Sequence, residues 1–348
     1  MSLTRRHLLK FAGATGAISS IPGFVFAQKL EKTKVQIAVG GKALTYYLPL
    51  SIAERKGFFK DEGLEVTVAD FAGGSKALQA VVGGSADVVS GAFEHNINLQ
   101  SKGQFFRCFV LQGRAPMIAI AVSNKTMGNY KSPADLKGKK IGVTAPGSST
   151  NMMVNFFLAK HGLKPSDVSI IGVGAGAGAV TAMRSGQIDA ISNLDPVLSI
   201  LEASKDITII SDTRKLKDTV EIFGGNMPAG SLYAPQTFID ANPNTTQALT
   251  NAIVRANKWI QKAGAVGVAK VVPEAYLLGD PAVYALSVTK GLEGLSPDGM
   301  MPADGPQTAL NALEAYSPEL KSAKIDLSKT WTNDFTTRAN QKYPDVAL

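Results

Sequence analysis

The stretch AGGSKALQAVVGGSADVVSG (residues 72–91) decides the fold, because GAGAGAVTAMRSGQIDAISN (residues 174–193) repeats its pattern at a constant offset of 102 residues. Each copy is typical of a glycine-rich turn, a helix with apolar positions three and four residues apart, a helix-ending glycine and a short apolar strand. The identical residues pair as Gly74 with Gly176, Ala77 with Ala179, Ala80 with Ala182, Gly84 with Gly186, Asp87 with Asp189 and Ser90 with Ser192. This repetition predicts an α/β fold made of two similar units.

The similarity continues upstream of both copies. In the first unit a Phe-Phe pair, a Gly-Leu pair and a predicted strand lie at 58–59, 63–64 and 65–69, and in the second at 156–157, 162–163 and 168–173. Further upstream, a strand over 35–39 leads into Gly40-Gly41-Lys42, as a strand over 140–144 leads into residues 146–150. Each unit therefore has the order βαβαβ, which predicts two parallel sheets covered by helices.

The loops that follow these strands are the predicted ligand site. Ligands of open α/β sheets bind beyond the carboxyl ends of the strands, so two facing units place both sets of loops on one cleft. Each loop begins a helix, whose first N–H groups are unpaired and carry the positive end of the helix dipole. Any one glycine loop is equally explained as a turn or a helix cap, but the set, arranged twice, favours an anion-binding cleft.

Residues 1–27 are predicted to be an export signal rather than part of the fold. Arg5-Arg6 precede a weakly apolar run over 11–26 that is short for a membrane span, and Val25-Phe26-Ala27 offers a cleavage site. The arginine pair favours the twin-arginine route over an ordinary secretory signal, and an N-terminal anchor is the remaining alternative. No cysteine lies near the cleavage site. We therefore expect a soluble periplasmic protein without a lipid anchor.

Charge and cysteine content exclude several function classes. The chain has 36 Lys and Arg against 28 Asp and Glu, and loss of three basic residues with the signal lowers the net charge from +8 to +5. The basic residues are scattered among acidic ones, so a nucleic-acid partner is not expected. Cys108 is the only cysteine, which excludes an intramolecular disulfide and thiolate metal clusters. About 320 mature residues are more than one core normally holds, so two domains are expected.

Four segments carry a family resemblance. SIAERKGFF (51–59), EGLEV (62–66), the glycine-rich segment over 73–88 and DLKGKKIGV (135–143) resemble the nitrate/sulfonate/taurine-type substrate-binding proteins of ABC importers. The resemblance covers about residues 35–237, and the remainder matches only in its helical character. It implies a type II periplasmic-binding fold: two α/β lobes, each a mostly parallel sheet flanked by helices, joined by a hinge of two crossings.

The same resemblance implies domain boundaries and a function. Lobe 1 would comprise residues 34–115 plus 222–348 and lobe 2 residues 116–221, with crossings near 113–117 and 223–231. The lobes would close around a small organic anion, such as a sulfonate or carboxylate, and deliver it to an ABC permease in the inner membrane. We expect a monomer that has no cofactor, no metal and no enzymatic activity.

A pocket is also implied by the resemblance, residue by residue. Ser148, Ser149 and Thr150 would donate hydrogen bonds to an oxyanion, although capping of the following helix by Ser149 or Thr150 is an alternative. Tyr46 or Phe93 would cover an apolar part of the ligand. The full set is Gly41, Lys42, Tyr46, Gly74, Ser75, Phe93, Glu94, His95, Ser148, Ser149, Thr150, Asn193, Asp195 and Asn226.

Glu94 does not suit a bare nitrate or sulfonate, which leaves the ligand open. Its carboxylate could pair with Lys42, Lys76 or Arg114, accept a hydrogen bond from a ligand amine or ring N–H, or lie on a solvated helix turn. His95 is more typical of a structural hydrogen bond than of a ligand contact. Arg114 could clamp a carboxylate or lie at the surface.

Several other functions fit the sequence less well. Pyrimidine-forming enzymes of thiamine synthesis are similar to these binding proteins, but they use a cysteine-rich iron motif that Cys108 alone does not supply. The related alternatives are a binding protein for a neutral heteroaromatic, such as a pyrimidine precursor, and a sensor subunit. The run GVGAGA (172–177) is better explained by close packing than by dinucleotide binding. His95 and His161 are too isolated for a metal site or a catalytic triad.

The C-terminal third is predicted to be mainly structural. A helix is expected over 244–262, a loop over 297–306, and short helices over 306–316 and 331–343. Trp259 and Trp331 are expected in the core.

Overall fold

The computed structural model describes residues 29–348, which form two five-stranded sheets. The predicted export signal lies outside the described residues. The strands are β1 Lys34–Gly40, β2 Glu65–Phe71, β3 Val88–Ala92, β4 Phe106–Leu111, β5 Ala119–Ser123, β6 Lys140–Val143, β7 Ser169–Gly172, β8 Ala190–Asn193, β9 Ile207–Asp212 and β10 Gly230–Pro235.

Helices cover both sheets. They are α1 Leu48–Arg55, α2 Phe58–Asp61, α3 Gly74–Val82, α4 Glu94–Gln100, α5 Ser149–Lys160, α6 Ala177–Ser185, α7 Val197–Ala203, α8 Leu216–Phe223, α9 Gln236–Ala241, α10 Pro243–Ala269, α11 Pro281–Gly291, α12 Gly305–Glu314, α13 Pro318–Ser322 and α14 Asp334–Lys342. Single 3-10 turns occur at Thr45–Tyr47, Pro133–Leu136, Pro165–Asp167, Glu274–Leu277, Leu292–Gly294 and Leu327–Lys329. Within the described residues, no helix is both long and apolar enough to cross a bilayer.

The sequence repeat is a structural repeat. The strand order is β2-β1-β3-β10-β4 in the first sheet and β7-β6-β8-β5-β9 in the second, so each repeat unit supplies the first three positions. In both copies the glycine-rich turn begins a helix, α3 or α6, and a glycine ends it, at Gly83 and Gly186. The prediction of a two-lobe α/β fold with mostly parallel strands is confirmed.

The fourth strand of each sheet runs against its neighbours. β10 pairs antiparallel with β3 and β4, and β5 pairs antiparallel with β8 and β9. β5 follows the crossing from the first sheet to the second, and β10 follows the crossing back. Each of these strands also has a bulge, at Ile120/Ala121 and at Leu232/Tyr233. The repeat therefore extends to a reversed strand that the sequence alignment did not contain.

The two chain crossings lie side by side. The N–H of Ala229 donates to the carbonyl of Gly113 at 3.1 Å, and the N–H of Gly113 donates to the carbonyl of Gly230 at 3.0 Å. We propose that residues 34–115 plus 222–348 form lobe 1, that residues 116–221 form lobe 2, and that these crossings are the hinge. The proposal is supported by the sheets, because every strand of each sheet falls within one of these sets.

The C-terminal third packs on lobe 1, around the long helix α10. This helix contacts α1, α14 and α11, and it extends beyond the predicted 244–262 with a kink at Gly264. The predicted helices over 306–316 and 331–343 are present as α12 and α14. Trp259 is in the core as expected, whereas Trp331 is only half-buried against it.

Candidate functional site

The loops that follow the repeat strands of the two lobes meet face to face. A Cβ added to Gly41, after β1, would lie 2.4 Å from Ala175 Cβ, in the loop after β7. A Cβ added to Gly73, after β2, would lie 2.8 Å from Ala145 Cβ, in the loop after β6. Each contact thus joins a first-strand loop of one lobe to a second-strand loop of the other, and each pairs a glycine with an alanine. The lobes are therefore closed, and each contact has room for the Cβ of the alanine but not for a second Cβ on the glycine.

Hydrogen bonds between the lobes accompany these contacts. The N–H of Ser75 donates to Ser148 Oγ at 3.0 Å, Ser148 Oγ donates to Ser75 Oγ at 3.2 Å, and Ser75 Oγ donates to the Pro146 carbonyl at 2.9 Å. On the other side, the N–H and the hydroxyl of Thr45 both donate to the carbonyl of Asp195, at 3.0 and 3.3 Å. The predicted residues Ser75, Ser148 and Asp195 therefore hold the closed state.

A cavity of about 560 Å³ lies between the lobes beside these contacts. Lobe 1 contributes faces of α3 and α4 and the segment after α12, and lobe 2 contributes the start of α5. Its buried end holds Glu94, His95 and Ser148, and Lys102 and Glu319 are among its other lining residues. The lining is Ser75, Leu78, Gln79, Val82, Glu94, His95, Asn98, Leu99, Lys102, Gln104, Pro146, Gly147, Ser148, Asn151, Met152, Asn155, Tyr316, Ser317 and Glu319.

Glu94 is buried in this cavity wall, at the first turn of α4. Only 2% of its surface is exposed, and its Oε1 has no hydrogen-bond partner among the described residues. Burial raises the pKa of the carboxyl to about 7. The solvated-turn alternative is therefore wrong. Two of the proposed partners are engaged elsewhere, because Lys42 pairs with Glu54 at 2.6 Å and the Arg114 Nε donates to the Glu293 carbonyl at 3.0 Å.

His95 is equally buried, with one ring nitrogen engaged and one free. Its Nδ1 lies 2.8 Å from the hydroxyl of Tyr233, and its Nε2 has no partner in the described part of the chain. Burial lowers the pKa of His95 to about 4, so the imidazole is neutral at pH 7. The expectation of a structural hydrogen bond is confirmed. The second nitrogen, however, remains available for a ligand.

Four tyrosines have pKa values that respond to the charge of Glu94. The pKa values of Tyr46, Tyr47, Tyr233 and Tyr316 are all raised, first by burial, and the negative charge of Glu94 adds to each shift. Tyr46 and Tyr47 pack edge to face with ring centroids 4.8 Å apart. The phenols stay protonated, and Tyr316, the one of the four in the cavity lining, offers a hydrogen bond and an apolar ring face to a ligand without adding charge.

Ser148, Ser149 and Thr150 have three different roles in the structure. Ser148, not Ser149 or Thr150, is the N-cap of α5, and no side chain at that position makes a capping bond, so the capping alternative is wrong. Ser149 is half-buried, and its side chain lies close enough to the Tyr46 hydroxyl to lower the pKa of that phenol. Thr150 Oγ1 accepts the Thr144 N–H at 3.1 Å. The Thr150 hydroxyl is therefore used inside lobe 2.

The remaining predicted residues support the loops. The N–H groups of Gly41 and Lys42 both donate to Asp70 Oδ1 at 2.9 Å, and the N–H of Phe93 donates to the Ala229 carbonyl at 3.0 Å. Asn193 Nδ2 donates to the Gly174 carbonyl at 3.2 Å.

Two charged partners, Arg214 and Asp304, explain the positions of Asp195 and Asn226. Asp195 is buried beside Arg214, whose Nη1 lies 3.5 Å from its Oδ2, and burial raises the pKa of Asp195 while Arg214 opposes the shift. Asn226 is exposed, its amide donates to Asp304 at 2.8 Å, and it is absent from the cavity lining.

Sequence reasoning missed several residues of the site. Tyr47, Tyr233 and Tyr316 were missed because they come from three distant segments of the sequence. Gly73 was missed because it was interpreted only as part of a glycine turn. Asn151 and Asn155 were detectable, because a spacing of four places them on the same face of α5 behind Ser148. No group of three His, Cys, Asp or Glu side chains among residues 29–348 could hold a metal ion.

Comparisons with known proteins agree with this geometry. The profile of the NMT1-like family matches residues 28–272. A solved protein structure from Bordetella bronchiseptica RB50 is 76% identical, with a TM-score of 0.90, over 91% of this chain and 100% of that one. YtlA of Bacillus subtilis (strain 168), named as a binding protein, is 26% identical over 77% of this chain and 79% of its own.

More distant likenesses are of two kinds. The alkanesulfonate-binding protein SsuA of Xanthomonas axonopodis pv. citri, solved with MOPS, is 18% identical with a TM-score of 0.66 over 89% of this chain and 99% of that one. The periplasmic nitrate-binding protein NrtA of Synechocystis PCC 6803 is 18% identical with a TM-score of 0.68, over 90% of each chain. The 4-amino-5-hydroxymethyl-2-methylpyrimidine phosphate synthase of Aspergillus parasiticus is 24% identical over 71% of this chain and 72% of its own.

Proposed function

The chain belongs to the NMT1-like family and has the periplasmic-binding-protein fold, and on that premise we propose that it is the solute-binding protein of an ABC importer. The observation that carries the proposal is the interlobe cavity of about 560 Å³, beside direct hydrogen bonds between the lobes. A volume of this size is in the range that holds organic ligands. The cavity and the closure contacts together suit a protein that captures a solute by closing on it.

The proposed solute is a small organic acid, such as a sulfonate or a carboxylate. The helices α3 and α5 both begin at the interlobe contact, so the positive ends of their dipoles favour an oxyanion there, although the Ser75 N–H already donates to Ser148 Oγ. Ser149 would add a hydroxyl donor. Tyr46 and Phe93 are buried outside the cavity lining. Leu78, Leu99 and Met152 of that lining would instead cover the apolar body of the molecule.

An enzymatic role is not supported by the site. The resembling pyrimidine-forming enzymes use a cysteine-rich motif, and the single cysteine here, Cys108, is buried with its pKa raised to about 12 by that burial. A thiol with so high a pKa is a poor metal ligand or nucleophile. We propose binding without chemical conversion.

Export and partners complete the proposal. The Arg5-Arg6 signal would carry the folded protein through the twin-arginine route, and the mature monomer would release its solute to a permease of the inner membrane. A sensor subunit would need the same closing cleft. Genes for a permease and an ATPase beside the gene of this protein would distinguish import from sensing.

A thermal-melt screen tests the binding function. The protein from Gln28 onward is refolded from denaturant to remove bound molecules, then melted with alkyl and aryl sulfonates, aromatic carboxylates, nitrate, pyrimidines and flavins. A solute at a hundredfold over its Kd should stabilise the protein by about 2.7 kcal/mol, which is a few degrees of Tm. No shift with any class contradicts the proposed function.

A further inference from the structure

Two buried polar atoms of the cavity wall have no partner among residues 29–348: Glu94 Oε1, which is an acceptor, and His95 Nε2, whose role as donor or acceptor depends on the tautomer. Both atoms are inaccessible to solvent. Both side chains line the same cavity. An unpaired carboxylate oxygen in a buried site is destabilising by several kcal/mol unless something donates to it.

No cation of the protein neutralises Glu94 in this structure. The described salt bridges do not include it, and Lys102 is the one Lys or Arg side chain in the cavity lining, eight residues further along the chain and just after the end of α4. The charge of Glu94 raises the pKa values of the Tyr46, Tyr47, Tyr233 and Tyr316 phenols, and Tyr316 and the neighbouring His95 line the same cavity. The site is therefore rich in acceptors and neutral donors, and it lacks a counter-charge.

We propose that the solute carries an N–H donor group, an amine, an amidine or a protonated ring nitrogen, which occupies the buried end of the cavity and donates to Glu94. The inference rests on the proposed binding function and narrows its solute class. The acidic group would lie at the helix starts beside Ser75 and Ser149, and the nitrogen at Glu94. The solute is then an amphoteric organic molecule rather than a simple sulfonate or carboxylate.

The chemistry of the pair supports this assignment. His95 is held by Tyr233 and stays neutral near pH 7, so it does not repel a cationic ligand. A ligand cation would supply the counter-charge that Glu94 lacks, and hydrogen bonds to charged groups are the stronger kind. Among these titratable groups, the phenols have raised pKa values and His95 has a lowered one, which leaves Glu94 as the group that titrates near neutral pH.

The experiment uses probe pairs that differ only in the amine. They are taurine and ethanesulfonate, 4-aminobutanoate and butanoate, 4-(aminomethyl)benzoate and 4-methylbenzoate, and 4-aminopyrimidine and pyrimidine. Calorimetric titration measures each pair against the native protein, Glu94→Gln and the control Glu314→Gln, which removes a half-buried carboxylate of α12 that lies outside the cavity lining.

The proposal expects the amine member of at least one pair to bind about tenfold to a hundredfold tighter than its partner. Glu94→Gln should abolish that preference, and Glu314→Gln should retain it. In the native protein the affinity for the amine should fall by about tenfold per pH unit below pH 7, because protonation of Glu94 competes with binding. This pH profile needs no variant, so it decides the question even if Glu94→Gln folds poorly.

Two results have different meanings. Binding of donor-free probes as tight as that of their amine partners, or an amine preference that survives in folded Glu94→Gln, overturns the assignment of Glu94 while leaving the binding function intact. No binding of any probe of this panel and of the wider thermal screen contradicts the binding function itself.

Discussion

Substitution of Gly73 by alanine should hold the cleft open. The new Cβ would lie 2.8 Å from Ala145 Cβ, 3.0 Å from the Ala145 nitrogen and 3.1 Å from Ser148 Oγ. Carbon atoms in contact normally lie about 3.5–4.0 Å apart, so the lobes must separate by roughly 1 Å. Gly73 has φ −173° and ψ 166°, an extended conformation that alanine adopts without strain. The substitution therefore acts between the lobes and not on the fold of either.

The expected loss of affinity follows from the hydrogen bonds that the added methyl group would break. Ser75 and Ser148 share three bonds across this contact with Pro146, at 2.9–3.2 Å. At about 1 kcal/mol for each of two to three such bonds, closure is weakened by about 2–3 kcal/mol. Because the ligand binds the closed state, Kd should rise roughly 30- to 150-fold.

The assay combines calorimetry with small-angle X-ray scattering, using the solute that gives the largest thermal shift. Native protein should become more compact on binding, and Gly73→Ala should remain extended with unchanged circular dichroism. Gly176→Ala is the matched control, since Gly176 is the N-cap of α6 and no atom lies within 4 Å of its added Cβ. Native affinity and native compaction in Gly73→Ala would refute the reasoning about closure.

Three further predictions concern Ser149 and Thr150, the pair Glu94 and His95, and the export signal. Ser149→Ala should weaken solute binding about two- to tenfold in calorimetry and leave the Tm unchanged. Thr150→Ala should instead destabilise the protein by about 1–3 kcal/mol in denaturant unfolding, because the buried Thr144 N–H loses its acceptor. The opposite pattern would show that the roles assigned to Ser149 and Thr150 are exchanged. The second prediction concerns the pH dependence of stability. Glu94 has a raised pKa, about 7, so its contribution to stability is present below pH 4.5 and is lost as the pH rises to 7. His95 has a lowered pKa, about 4, so its contribution is present above pH 6.5 and is lost as the pH falls to 4. The two slopes oppose each other between pH 4.5 and 6.5, so Glu94→Gln should make stability rise with pH there and His95→Gln should make it fall; identical profiles in both variants contradict these pKa shifts. Arg5→Lys with Arg6→Lys should retain the protein in the cytoplasm in a fractionation assay, and unchanged export would assign the signal to the ordinary secretory route.

The architecture was predictable because the sequence repeats. The glycine that ends each helix and the strand after it, as at Gly186 and β8, have local signals that need no tertiary context. The reversed strands β5 and β10 lie outside the aligned repeat, and their direction is set by the chain crossing between sheets. The C-terminal helices were recognisable from apolar spacing, but the kink at Gly264 was not.

The site was only partly predictable, because burial there is created by distant segments. Glu94, His95 and Asn96 look like a polar surface turn in sequence, yet all three are buried, and Tyr233, from a distant segment, hydrogen-bonds His95. Thr150 appeared equivalent to Ser149, and only the position of Thr144 separates their roles. Asn226 was placed in the pocket by its position at the crossing, while Asp304, 78 residues away, pairs with its amide.

Equilibrium dialysis followed by mass spectrometry of the solute tests the binding account most directly. The refolded protein from Gln28 onward is dialysed against the solute with the largest thermal shift, and the bound molecule is recovered and weighed. We predict one solute per chain, recovered chemically unchanged. No bound solute, or a solute recovered as a different compound, would contradict the account, and the second result would favour an enzyme on this fold.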